Sequence, residues 1–123
     1  MVNAEGVFPS PNRCSIPKSP SGEANTLNTI GRIYANLGEP QKALEYYHQS
    51  LPLFRAAGDR RSEALTLLDI GFAYYDLGVK EKALEYYNQA QALFRAVGDR
   101  RREAFTFLGI GFVYSYGEKN RKR

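Results

Sequence analysis

A single cysteine, a single histidine, no tryptophan and no long apolar run bound this 123-residue chain before anything else in it is read. Cys14 has no second cysteine to pair with, so nothing in the composition asks for an oxidising compartment. With His48 alone, two-histidine metal sites and histidine-relay hydrolase arrangements have too few parts. The apolar stretches fall short of the roughly 18 residues that a membrane-spanning helix needs. The first residues lack the basic start and apolar stretch of a signal peptide. Charge of one sign is barely in excess. The net charge is +4, and residues 117–123 (GEKNRKR), with four basic side chains and one acidic, carry +3 of it. The remainder is close to neutral, so the chain has a basic end but no basic face. These absences leave a one-domain cytoplasmic protein, with no membrane, metal or cofactor, as the expectation.

What is present is repetition. Residues 58–77 read GDRRSEALTLLDIGFAYYDL and residues 98–117 read GDRRREAFTFLGIGFVYSYG, identical at 12 of 20 positions. Residues 38–57 (GEPQKALEYYHQSLPLFRAA) match residues 78–97 (GVKEKALEYYNQAQALFRAV) at another 12 of 20. A 40-residue period of this kind marks an array that grows by stacking neighbours instead of closing around one core.

Within each period the apolar spacing is helical. Leu27, Ile30 and Tyr34 fall on one face of a helix opened by Ser21 or Gly22 and closed near Asn36 by Leu37-Gly38. Pro40 suits the first turn of a second helix, with Ala43, Tyr47, Leu51 and Phe54 as its stripe. Gly58 suits a left-handed cap, and Asp59 can cap the next helix. The pattern predicts further helices at about 60–76, 80–97 and 100–115. Residues 1–21 hold four prolines and no apolar period, and read as a mobile leader; Pro17-Lys18-Ser19-Pro20 also has the spacing of a Pro-rich ligand.

Three segments carry a family pattern. Leu27-x2-Ile30-Gly31-x2-Tyr34 is followed by Ala43-x3-Tyr47. Leu67-x2-Ile70-Gly71-x2-Tyr74 is followed by Ala83-x3-Tyr87. Phe107-x2-Ile110-Gly111-x2-Tyr114 begins a third copy. This resembles the tetratricopeptide pattern W-x2-L-G-x2-Y, then A-x3-F, over residues 22–117. The 40-residue period is longer than the family's usual 34 and is similar to the long repeats of bacterial multidomain regulators and kinesin light chains. The resemblance implies an all-α fold, a short right-handed α-solenoid of antiparallel helix pairs, with two full repeats (about 22–58 and 59–98), a partial one (99–116) and a basic tail (117–123). Small residues (Gly31, Gly71, Gly111, Ala43, Ala83) would let paired helices approach, and large ones (Tyr34, Tyr47, Tyr74, Tyr87) would fill the gaps. Since Lys122 stands near the place of Ala83, no second helix is expected after Tyr114. The fifth helix would then leave apolar side chains uncovered, which favours self-association.

The resemblance also places a peptide-holding groove on the first helix of each pair. Carried over by position, Asn25, Asn28, Arg32 and Asn36 would line it in the first repeat. Leu65, Leu68, Phe72, Tyr75 and Asp76 follow in the second, and Phe105, Leu108 and Phe112 in the partial third. Asn side chains can grip a peptide backbone, and aromatics supply anchor pockets. The leucines of this set serve equally well as core between repeats. Asp69, in a slot that other family members fill with a carboxylate-binding residue, would repel a chain terminus. No constellation for catalysis stands out. Cys14 has no general base nearby in sequence, Gly109-x-Gly111 lies within a helix, and Asp69 and Asp76 read as surface charges. His48, matched by Asn88 in the next repeat, reads as solvent-facing. The expectation is therefore a non-enzymatic protein- or peptide-binding module. Self-association through the fifth helix is one alternative. A nucleic-acid contact through Arg60-Arg61, Arg100-Arg101-Arg102 and the tail is another, disfavoured because acidic neighbours offset the arginines.

Overall fold

A computed structural model describes the backbone of residues 20–122 and the side chains of residues 22–115. Five helices follow one another: α1 (Pro20–Asn36), α2 (Pro40–Ala57), α3 (Arg60–Leu77), α4 (Lys80–Ala96) and α5 (Arg100–Lys122). There is no strand among the described residues, and the fold is an all-α solenoid. The expected leader, Cys14 included, lies outside the described residues except for Pro20 and Ser21, which already belong to α1. The fifth helix does not stop near residue 115 as the sequence suggested but runs to Lys122. No proline follows to break the helix, so it continues through Gly117.

Each turn between helices is made the same way. Gly38, Gly58, Gly78 and Gly98 all adopt positive φ, between 72° and 82°, a conformation that a side chain opposes. Asp59 and Asp99 then accept hydrogen bonds from the backbone amides of Ser62 and Arg102, each at 3.2 Å, capping α3 and α5.

Consecutive helices pack against each other throughout. In addition α1 touches α3 and α3 touches α5, whereas no close backbone approach joins α2 to α4. The odd-numbered helices therefore form the inner row of the curve and the even-numbered helices the outer row. The core runs between the rows, built from Ala43, Tyr47, Leu51, Leu67, Ile70, Ala83, Tyr87 and Phe94 among others. Burying each large apolar side chain contributes about 1.5–3 kcal/mol.

The helix pairs close on glycine. A methyl group placed on Gly31 would meet the Tyr47 ring at 2.7 Å, and one on Gly71 would meet the Tyr87 ring at 2.6 Å. These two glycines are seats for the tyrosines of the following helix. A second tyrosine pair repeats beside each seat: Tyr34 stacks on Tyr46 at 5.6 Å, and Tyr74 on Tyr86 at 5.7 Å. The first repeat tolerates Pro52 inside α2, although its ring removes one backbone donor.

Candidate functional site

The inner row presents a cleft of about 300 Å³ between α1 and α3, lined by Arg32, Ala35, Asn36, Tyr47, Asp69, Phe72, Ala73 and Asp76. The seven-residue step from Asp69 to Asp76 sets both carboxylates on one face of α3, and Phe72 between them forms the apolar wall. Four sequence-predicted positions (Arg32, Asn36, Phe72 and Asp76) thus meet at one cleft.

Within it, charge is distributed unequally. Arg32 Nε donates to Asp69 Oδ2 at 3.0 Å. Asp69 is thereby not the surface charge the sequence suggested: its side chain is only 15% exposed and is covered by α1. Burial pushes its carboxyl above the ordinary aspartate range, against the charge and hydrogen bond of Arg32 and a hydrogen bond from Asn28. Asp76, by contrast, stays exposed at the cleft rim. Arg32 and Asp69 offset each other, so Asp76 dominates the field that a ligand meets. Tyr47 closes the floor, and burial raises its phenol well above the usual value, with Asp69 adding to the effect.

Not every expected groove residue is accessible. Asn28 is buried and donates from Nδ2 to Thr66 Oγ1 at 3.1 Å, a bond between repeats. Leu68 is 4% exposed and belongs to the core. Both leave the accessible groove because the face of a first helix that meets its neighbour adjoins the face that meets solvent. Asn25 remains exposed near the N-terminal end of α1. Leu65 and Tyr75 are half-buried against the core. Phe72 packs edge-on against Tyr87 at 5.5 Å and lies 6.1 Å from Phe105. An aromatic path thus leads from the cleft onto α5, where Phe105, Leu108 and Phe112 are each at least half exposed.

Two of the turn arginines, Arg61 and Arg102, and the two helix-end arginines before the turns pair within the chain. Arg55 pairs with Glu63 at 2.8 Å, and Arg95 with Glu103 at 2.9 Å, the same staple 40 residues on. Arg61 and Arg102 both reach Asp99, at 3.6 and 2.8 Å. Hydrogen bonds from the Arg102 side chain and amide hold the Asp99 carboxyl below its usual range, and bonds from Gln91 and Arg95 do the same for Glu103. Proximity in sequence sets these acids beside the turn arginines, whereas the staples are Arg55 and Arg95, whose partners lie across a turn and are not legible from spacing. His48 is exposed and meets Tyr86 edge-on at 6.2 Å.

Among the described residues no group of three His, Cys, Asp or Glu side chains could hold a metal ion, and no helix is long and apolar enough to cross a membrane. No curated protein matches the chain. A family model described as tetratricopeptide repeat matches residues 22–96, the stretch that holds α1 to α4 and both glycine–tyrosine seats. With more than half of its length matched, and its helices packed in adjacent pairs, this chain belongs to the tetratricopeptide repeat family.

Proposed function

We propose that the inner row captures a segment of a partner protein carrying an apolar anchor beside a basic side chain. The anchor lies on the Phe72–Phe105 path and the basic group meets Asp76. The carrying observation is the cleft itself, where an aromatic wall adjoins a carboxylate left without a cationic neighbour as close as the one Asp69 has in Arg32. Family membership supports the reading, since tetratricopeptide repeats act as protein–protein interaction modules and are typically non-catalytic scaffolds. Aromatic burial supplies affinity and Asp76 selects against acidic ligands. Asn36 and Arg32 stand ready to bond the ligand backbone on the α1 side.

A random peptide library selected on the immobilised full-length chain tests this. Enriched sequences should pair an aromatic or large aliphatic residue with Lys or Arg. Binding should fall about tenfold or more in Phe72→Ala, and Asp76→Lys should reverse the charge preference while helicity is kept. Tyr75→Ala, on the same helix, should weaken capture as well. Retention of the same peptides by both Phe72→Ala and Asp76→Lys would place binding elsewhere.

A further inference from the structure

The two junctions of the inner row are built differently. Where α1 meets α3 the contact is polar. Asn28 Nδ2 donates to Thr66 Oγ1 at 3.1 Å, Arg32 Nε donates to Asp69 Oδ2 at 3.0 Å, and Asn28 also bonds Asp69. Forty residues on, the places of Asn28, Thr66, Arg32 and Asp69 hold Leu68, Thr106, Phe72 and Gly109. None of those side-chain bonds can form there, and the Thr106 hydroxyl turns to its own helix, donating to the Arg102 carbonyl at 2.8 Å. Yet α3 touches α5 as α1 touches α3. Stacking of the inner row therefore does not require the Arg32–Asp69 pair. The pair also has a cost, since burial works against the Asp69 carboxylate even with Arg32 beside it. Its orientation is specific. Nε makes the bond to Asp69, and among the described residues the amino nitrogens Nη1 and Nη2 make no hydrogen bond. The Arg32 side chain is 50% exposed and lines the cleft, with Asn36 one turn further along α1 and Phe72 on α3.

We infer that Asp69 is a positioning residue for ligand capture: it holds Arg32 by Nε so that Nη1 and Nη2 donate to a backbone carbonyl of the segment bound in the cleft. The inference rests on capture of a partner segment at this cleft. Charge decides between a carbonyl and a terminal carboxylate. Asp69 offsets Arg32, and Asp76 leaves the cleft with a net negative charge, so a chain terminus is repelled while a neutral acceptor is not. Geometry supplies the reason for holding the arginine. A guanidinium fixed at one nitrogen has its planar fork already aimed, and it loses less side-chain freedom when a ligand arrives than an unheld one. The network continues behind Asp69 into Asn28 and Thr66, which are buried and fix the carboxylate in turn. Asp69 itself is only 15% exposed and covered by α1, so it acts through Arg32 and not on the ligand.

The test uses the full-length chain and the peptide most enriched from the random library, made with an acetyl group at one end and an amide at the other. Calorimetric titration compares the parent chain with Asp69→Ala, Arg32→Lys and the double variant. Gly109, in the matching place of α5, shows that the position accepts a small residue. Each single variant should weaken binding about tenfold. The double variant should be no weaker than Arg32→Lys, because Asp69 has no route to the ligand once the guanidinium is gone. In the parent chain the NMR signals of Arg32 Nη1 and Nη2 should shift on adding the peptide, a readout that a purely structural pair would leave still and that needs no variant to fold. Parental affinity in Arg32→Lys overturns the inference. So do additive losses in the double variant, or Nη signals that the bound peptide leaves unmoved. Tighter binding of the same peptide as its free acid would assign Arg32 to a chain terminus and overturn it equally. Capture at the cleft fails on different evidence, when Phe72→Ala and Asp76→Lys both retain the peptide.

Discussion

Replacing Gly71 by alanine should destabilise the fold, while the same replacement at Gly111 should stabilise it, although both glycines occupy the same place in the repeat. At Gly71 the new methyl would lie 2.6 Å from two atoms of the Tyr87 ring, which is 1% exposed and braced by Phe72. Ordinary contact requires about 3.4 Å or more, so the ring or the helix must move. Overpacking of this kind costs about 1–3 kcal/mol. Against it stands the gain from removing glycine from a helix interior, about 0.5–1 kcal/mol. At Gly111 the methyl meets nothing, so only the gain remains. The gain cancels when the two variants are compared, which leaves the clash alone, about 1–3 kcal/mol. Urea titration followed by circular dichroism reads this directly. Each kcal/mol also corresponds to about 4–8 °C in Tm for a domain of this size. Gly31→Ala should behave as Gly71→Ala, with the Tyr47 ring at 2.7 Å and the Ala43 carbonyl at 3.2 Å. Equal shifts of the same sign at positions 71 and 111 would refute the glycine-seat reasoning.

Although His48 is an exposed residue, partial desolvation of its ring, reinforced by Lys82, lowers its pKa, so the fold favours the neutral ring. Its contribution is therefore complete above the ordinary value of 6.5 and lost as pH falls through the lowered one. His48→Asn, the residue found at position 88, should remove this part of the slope in urea midpoints and leave the part that Asp69, held above the ordinary aspartate range, contributes with opposite sign. Asn28→Ala strands the buried Thr66 hydroxyl without its donor and should cost about 1–3 kcal/mol in thermal melts. Because Asn28 is buried, the same variant should leave peptide capture intact when assayed below its melting range.

The helices were legible because their signals are local. Apolar spacing, glycine at each turn and aspartate before α3 and α5 all act within a few residues. Gly31 and Gly71 could be read as points of close approach because each is repeated 40 residues on. What the sequence left open depends on neighbours distant in the chain. Asp69 looked like a surface charge because its cover, Arg32, is 37 residues earlier on another helix. Asn28 and Leu68 looked like groove residues because the boundary between the solvent face and the neighbour-facing face of a helix is set by how far the next repeat rotates, which spacing does not state. Pro52 carries the opposite lesson: a local rule against proline within a helix is outweighed by the core side chains on either side of it, Leu51 and Phe54.

The gap between α2 and α4 has a mechanical meaning. With the inner row in contact and the outer row apart, a bend of the array would turn about the line through α1, α3 and α5. Straightening about that line would close the outer gap and keep each helix against its chain neighbours. The edge-on contact of His48 with Tyr86 spans that gap, and the ring signals of those two side chains form a natural strain gauge for the curvature of the molecule.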